Sequence, residues 1–84
     1  VKYTINLTQK HIDRGRPRSC FHCPVALAIQ DGVGRTVGVM SLHEQSYACF
    51  ENGVTALPPA AVQLARDFDQ GRPVQPMSFE LEVP

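Results

Sequence analysis

The sequence predicts a small α+β fold: an antiparallel or mixed sheet of four to five strands packed with two to three short helices, residues 1–84 forming a single globular domain. Three observations predict it. Both ends of the chain alternate apolar and polar residues with the period of a strand. Two apolar segments in between open on proline, as helices often do. An Asn-Gly pair at 52–53 marks a hairpin.

The elements follow in order. Val1, Tyr3, Ile5 and Leu7 alternate with Lys2, Thr4 and Asn6, the pattern of a half-buried strand. Thr8 is placed to cap a short helix over Gln9 to Arg14, its hydroxyl accepting a free amide, with Gly15 as the stop. Arg16-Pro17-Arg18-Ser19 has no apolar period and reads as a basic loop. Pro24 then starts a helix, and Val25 to Ile29 is apolar almost all round, which predicts a buried element closed by Asp31-Gly32 with Gly34. Thr36 to Leu42 and Gln45 to Glu51 have strand composition. With Asn52 and Gly53 as a two-residue loop, Glu51 faces Val54, Phe50 faces Thr55, Cys49 faces Ala56 and Ala48 faces Leu57.

Pro58-Pro59 opens the next helix, where Ala61, Leu64, Ala65 and Phe68 recur at helical spacing before Gly71. Met77, Phe79, Leu81 and Val83 alternate with Ser78, Glu80 and Glu82 in a final strand with one acidic face. The expected core joins Leu64, Phe68, Phe79 and Leu81 to Tyr3, Ile5 and Leu27.

Composition narrows the function classes. No run reaches the roughly 18 apolar residues of a bilayer span, and the N-terminus reads as a strand rather than a leader, so no membrane role and a cytoplasmic location are expected. The formal net charge is zero, which argues against a duplex-binding domain. The zero hides an asymmetry. Residues 1–23 carry five Lys and Arg against one Asp, whereas 24–84 carry three Arg against seven Asp and Glu. Lys10, Arg14, Arg16 and Arg18 form a candidate basic binding loop. Asp67, Asp69, Glu80 and Glu82 form a candidate acidic face, though solvated surface charge would give the same pattern.

Cys20-Phe21-His22-Cys23 is a C-x-x-C pair. A structural zinc needs four ligands, so Cys49 and His43, or His11, would have to complete the set, and the second half lacks the paired spacing of a zinc motif. A redox pair is the other sharp reading, because a helix N-terminus at Pro24 would favour the thiolate of Cys23. The plain reading has the two cysteines bracing the loop against the helix, by packing or by a facultative disulfide, with Cys49 a buried free thiol. No cofactor is required by any of these except zinc in the first. There is no nucleophile elbow, phosphate loop or H-E-x-x-H helix, and neighbouring His43, Glu44 and Ser41 on a strand do not make a triad, so no enzyme is expected.

The strings Thr8 to Gly15, Cys20-Phe21-His22-Cys23-Pro24-Val25-Ala26-Leu27-Ala28, Leu57 to Val62 and Phe68-Asp69-Gln70-Gly71-Arg72-Pro73-Val74-Gln75-Pro76-Met77-Ser78-Phe79-Glu80-Leu81 resemble a group of small uncharacterised proteins encoded by bacteriophages and prophages. Residues 32–54 lie outside the likeness. The resemblance implies a phage-derived protein in a bacterial cytoplasm and carries no activity. In that setting the expected function is stoichiometric: an accessory protein or inhibitor that docks on a host protein, such as a defence or nucleic-acid-handling complex, by charge complementarity. The alternatives are a zinc- or thiol-dependent module using Cys20 and Cys23, and a single-stranded nucleic-acid patch in which Phe21 stacks on bases while Lys10, Arg14, Arg16, Arg18 and His22 meet phosphates.

Overall fold

The computed structural model describes residues 1–42 and 45–84. Its elements run β1 (Lys2–Leu7), α1 (Gln9–Arg14), α2 (Pro24–Val33), β2 (Gly38–Leu42), β3 (Gln45–Phe50), β4 (Gly53–Ala56), α3 (Pro59–Asp69) and β5 (Met77–Glu82). This is an α+β fold. The strands divide between two antiparallel sheets, β1-β5 and β2-β3-β4, both of which contribute to one core.

The terminal strands pair from Lys2 with Glu82 to Leu7 with Met77, and the Val83 amide extends the ladder to the Val1 carbonyl at 2.8 Å. Their alternation works as read: Ile5, Leu7, Phe79 and Leu81 are buried, while Ser78, Glu80 and Glu82 face solvent. β1 lies directly against α2. A side chain at Gly32 would put its Cβ 2.8 Å from Ile5 Cδ1, so anything larger than glycine requires the end of the Ile5 side chain to shift. Within the expected closing segment from Asp31-Gly32 to Gly34, the helix does not end at Asp31-Gly32. It runs on to Val33, and Gly34, with φ of 71°, stops it by donating its amide to the Gln30 carbonyl at 2.8 Å.

The expected hairpin register is displaced. Phe50 pairs with Gly53, Cys49 with Val54 and Ala48 with Thr55, and the two loop residues are Glu51 and Asn52. Gly53 begins the strand at a φ of 154°, which other residues rarely adopt. The displacement is even, so residues expected to share a face of the hairpin still share one. It sets Leu57 opposite Ser46, whose carbonyl takes the Leu57 amide at 2.9 Å, and Leu57 is buried.

The core is built from Ile5, Leu7, Val25, Ile29, Val37, Ala48, Leu57, Leu64, Phe79 and Leu81, with Tyr3 packed at its margin. Two expected members are missing. Leu27 and Phe68 are only half-buried, because α2 turns Val25, Ala26, Ala28 and Ile29 inward and α3 turns Ala61, Val62, Leu64 and Ala65. Among the described residues no helix is long and apolar enough to cross a membrane.

Candidate functional site

The C-x-x-C turn is sewn to its surroundings by backbone groups. Gly15 hands the chain from α1 into the basic loop with its Cα against the Pro24 ring, where a Cβ would sit 2.7 Å from two ring carbons. The Arg16 amide donates to the His22 carbonyl at 2.7 Å, closing the loop on itself. Arg18 takes a left-handed φ of 57° and is held there by Asp69: its amide donates to Asp69 Oδ1 at 2.8 Å and its guanidinium to the Asp69 carbonyl at 3.1 Å. The Cys20 carbonyl accepts the Val39 amide of β2 at 2.7 Å. Gln30 reaches across from α2 to donate to the carbonyls of Phe21 and Val37, at 3.1 and 2.8 Å.

Cys23 is the N-cap of α2, its Sγ accepting the Ala26 amide at 3.4 Å. The redox reading requires a favoured thiolate, and the environment opposes it. Burial pushes the Cys23 thiol up from its ordinary value; the Ala26 and Val25 amides pull the other way, and Asp69 and Cys20 add to the rise. All three cysteines are free thiols, with Cys20 exposed. A shallow cleft of about 280 Å³ beside it is lined by Arg18, Cys20, Cys23, Met40, Ser41 and Asp69, among others.

Among the described residues no three His, Cys, Asp or Glu side chains converge to hold a metal. Cys49 is half-buried rather than buried and points to the opposite side of its sheet from Ala48 and Phe50; His43 lies outside the described residues. His11 has both ring nitrogens engaged. Nδ1 accepts the Thr8 amide at 3.0 Å, and Nε2 lies 2.6 Å from Asp31 Oδ2, so the neutral ring carries its proton on Nε2 and ties α1 to α2. The Thr8 hydroxyl also bonds to this ring at 3.2 Å, and Thr8 and His11 form a capping box at the start of α1. Composition offers no signal for such a buried histidine on so short a helix.

The basic and acidic sets meet at one point, Arg18 with Asp69. Asp69 clamps Arg18, and Asp67 lies 3.4 Å from Arg72. On β5, Glu80 stands 3.8 Å from Lys2 and Glu82 3.4 Å from the N-terminal ammonium. The four carboxylates therefore sit on two elements: Asp67 and Glu80 each lie beside a side-chain cation, and Asp69 holds a backbone amide. Lys10, Arg14 and Arg16 are exposed and have no ion-pair partner among the described residues.

One surface went unread in the sequence, since strand composition does not say which face is buried. β3 turns Ser46, Ala48 and Phe50 to the core. Its other face carries Tyr47 between Met40 and Ala56, and Cys49 between Gly38 and Val54. The Phe21 ring lies over Gly38, within 3.1 Å of where a Cβ would stand. Phe21, Met40 and Val54 are 52%, 37% and 61% exposed. The face is uncharged across Gly38–Met40, Gln45–Phe50 and Gly53–Ala56, and apolar except for the exposed Gln45 at its end.

No family model, curated protein or solved structure matches the chain.

Proposed function

We propose that the chain is a non-catalytic protein-binding module, a phage-type accessory protein that docks stoichiometrically on a host protein in the bacterial cytoplasm and covers a working surface of it, as an inhibitor of a defence or nucleic-acid-handling complex does. The observation that carries the reading is the uncharged outer face of β2-β3-β4, where Phe21, Met40 and Val54 stand in solvent around Tyr47 and Cys49. Contiguous exposed apolar surface of this kind marks interaction sites, and aromatic and methionine side chains are enriched at interface centres.

The charges refine the expected partner. Lys10, Arg14 and Arg16 are exposed with no ion-pair partner among the described residues, and Arg16 is bonded to the turn that presents Phe21. An apolar host surface with an acidic rim complements this arrangement better than a basic groove does. Among the described residues every buried side-chain N or O has a hydrogen-bond partner, so none is left aimed at a substrate.

The test is capture from a bacterial lysate with the tagged chain, its M40E/V54E variant and an E80Q/E82Q variant. One stoichiometric partner should be retained by the wild type and E80Q/E82Q and lost by M40E/V54E. Capture of nothing, or equal capture by all three, refutes the reading.

A further inference from the structure

The two edges of the three-stranded sheet are treated differently. On the β2 edge some outward groups are covered: the Val39 amide is bonded to the Cys20 carbonyl, and the carbonyl of Val37, just ahead of the strand, to the Gln30 side chain. On β4 they are not. The bond from the Leu57 amide to Ser46 sets the alternation, so Gly53, Thr55 and Leu57 face β3, while Val54 and Ala56 point their amides and carbonyls away from the sheet. Among the described residues none of those outward groups has a partner beyond the sheet. Native proteins protect such edges with charge, bulges or a covering loop. Here the strand from Gly53 to Leu57 has no charged residue, and Pro58, the next outward position, has no amide and ends the available ladder.

We propose that this edge is a homodimer interface, in which β4 pairs antiparallel with β4 of a second copy about a two-fold axis at Thr55. In that register Val54 lies opposite the second copy's Ala56, and Ala56 opposite the second copy's Val54, each pair exchanging both of its N–H···O bonds. Thr55 meets its own counterpart in the closer, non-hydrogen-bonded position, a favourable cross-strand pair. The open stretch is thus complementary to itself, as an isologous contact requires. Its lack of charge, on a chain of zero formal net charge, leaves nothing to repel an identical partner. The pairing joins two three-stranded sheets into one and makes their apolar outer faces continuous, with Val54 and Ala56 at the seam.

The inference goes beyond host docking and is tested on the purified chain alone, so its failure is separate from failure of the lysate capture. Sedimentation velocity over a wide concentration range should show a species of twice the monomer mass. Val54→Lys and Ala56→Pro should each return it to the monomer with an unchanged far-UV circular dichroism spectrum, the proline removing only an outward amide. With Cys20 and Cys49 replaced by serine, Thr55→Cys should form an intermolecular disulfide under oxidised glutathione, and Val54→Cys should do so several-fold less. A monomer at every concentration, a dimer that survives both edge substitutions, or equal cross-linking at 54 and 55 overturns the proposal. A wild-type monomer that takes up a host strand at β4 overturns it as well.

Discussion

Cys23 is the residue at which a structural and a chemical role of the C-x-x-C pair make opposite predictions. Cys23→Ala removes the acceptor that caps the Ala26 amide at 3.4 Å and empties a site that is 6% exposed. A lost N-cap costs about 0.5–2 kcal/mol, and a sulfur acceptor belongs at the low end. Adding the lost packing of one buried heavy atom brings the expected destabilisation to about 1–2 kcal/mol. Cys23→Ser keeps an acceptor, and a better capping one, so it should stay within about 1 kcal/mol of wild type. The pH dependence separates the variants further. Burial raises the folded thiol above its ordinary value of 9.0, so the unfolded chain releases this proton first. The stability tied to it is intact below that pH and is lost as pH rises toward the folded value. Wild type should therefore lose stability relative to Cys23→Ser above pH 9.0, and the two should differ by a constant below it. Urea unfolding followed by far-UV circular dichroism reads both effects. A Cys23→Ser protein that unfolds outright, or a gap to wild type that ignores pH, refutes the capping account and returns the turn to metal or redox chemistry.

Three further outcomes follow from the packing. Ile29→Ala, at a fully buried site, should cost about 2–5 kcal/mol by urea unfolding, and Phe68→Ala should cost clearly less because that ring is half outside the core. Gly15→Ala should cost about 1–3 kcal/mol by driving a methyl into the Pro24 ring, and Pro24→Ala in the same chain should recover part of the loss, a coupling that a double-mutant cycle measures. Asp69→Ala should release the Arg18 amide from Oδ1 while keeping the backbone carbonyl that takes the guanidinium, which limited trypsin digestion detects as faster cleavage after Arg18 at unchanged global stability.

The parts of the fold that repeat were legible in the chain. β1 and β5 alternate cleanly because each buries one face only, so Ile5, Phe79 and Leu81 declare themselves. Pro24 and Pro59 mark helix starts because a proline there gives up nothing. What depends on contacts distant in sequence was not legible. Nothing along the chain shows that Gly32 packs against Ile5, and Asn52-Gly53 reads as a two-residue loop until the core is seen to claim Leu57. The site suffered most. Charge counted along the chain separates Arg18 from Asp69 by half the sequence, and folding places them in hydrogen-bond contact. The outer face of β2-β3-β4 mixes Met40, Tyr47, Cys49 and Val54 with no motif and no charge, so only the burial of the opposite face reveals it.

The central claim is that this outer face binds a protein partner in fixed proportion. Isothermal titration of the captured, purified partner with the wild-type chain and with M40E/V54E tests it most directly. The account predicts saturation at one fixed molar ratio for the wild type and no binding heat for a variant whose circular dichroism is unchanged. Equal binding by the folded variant would contradict it.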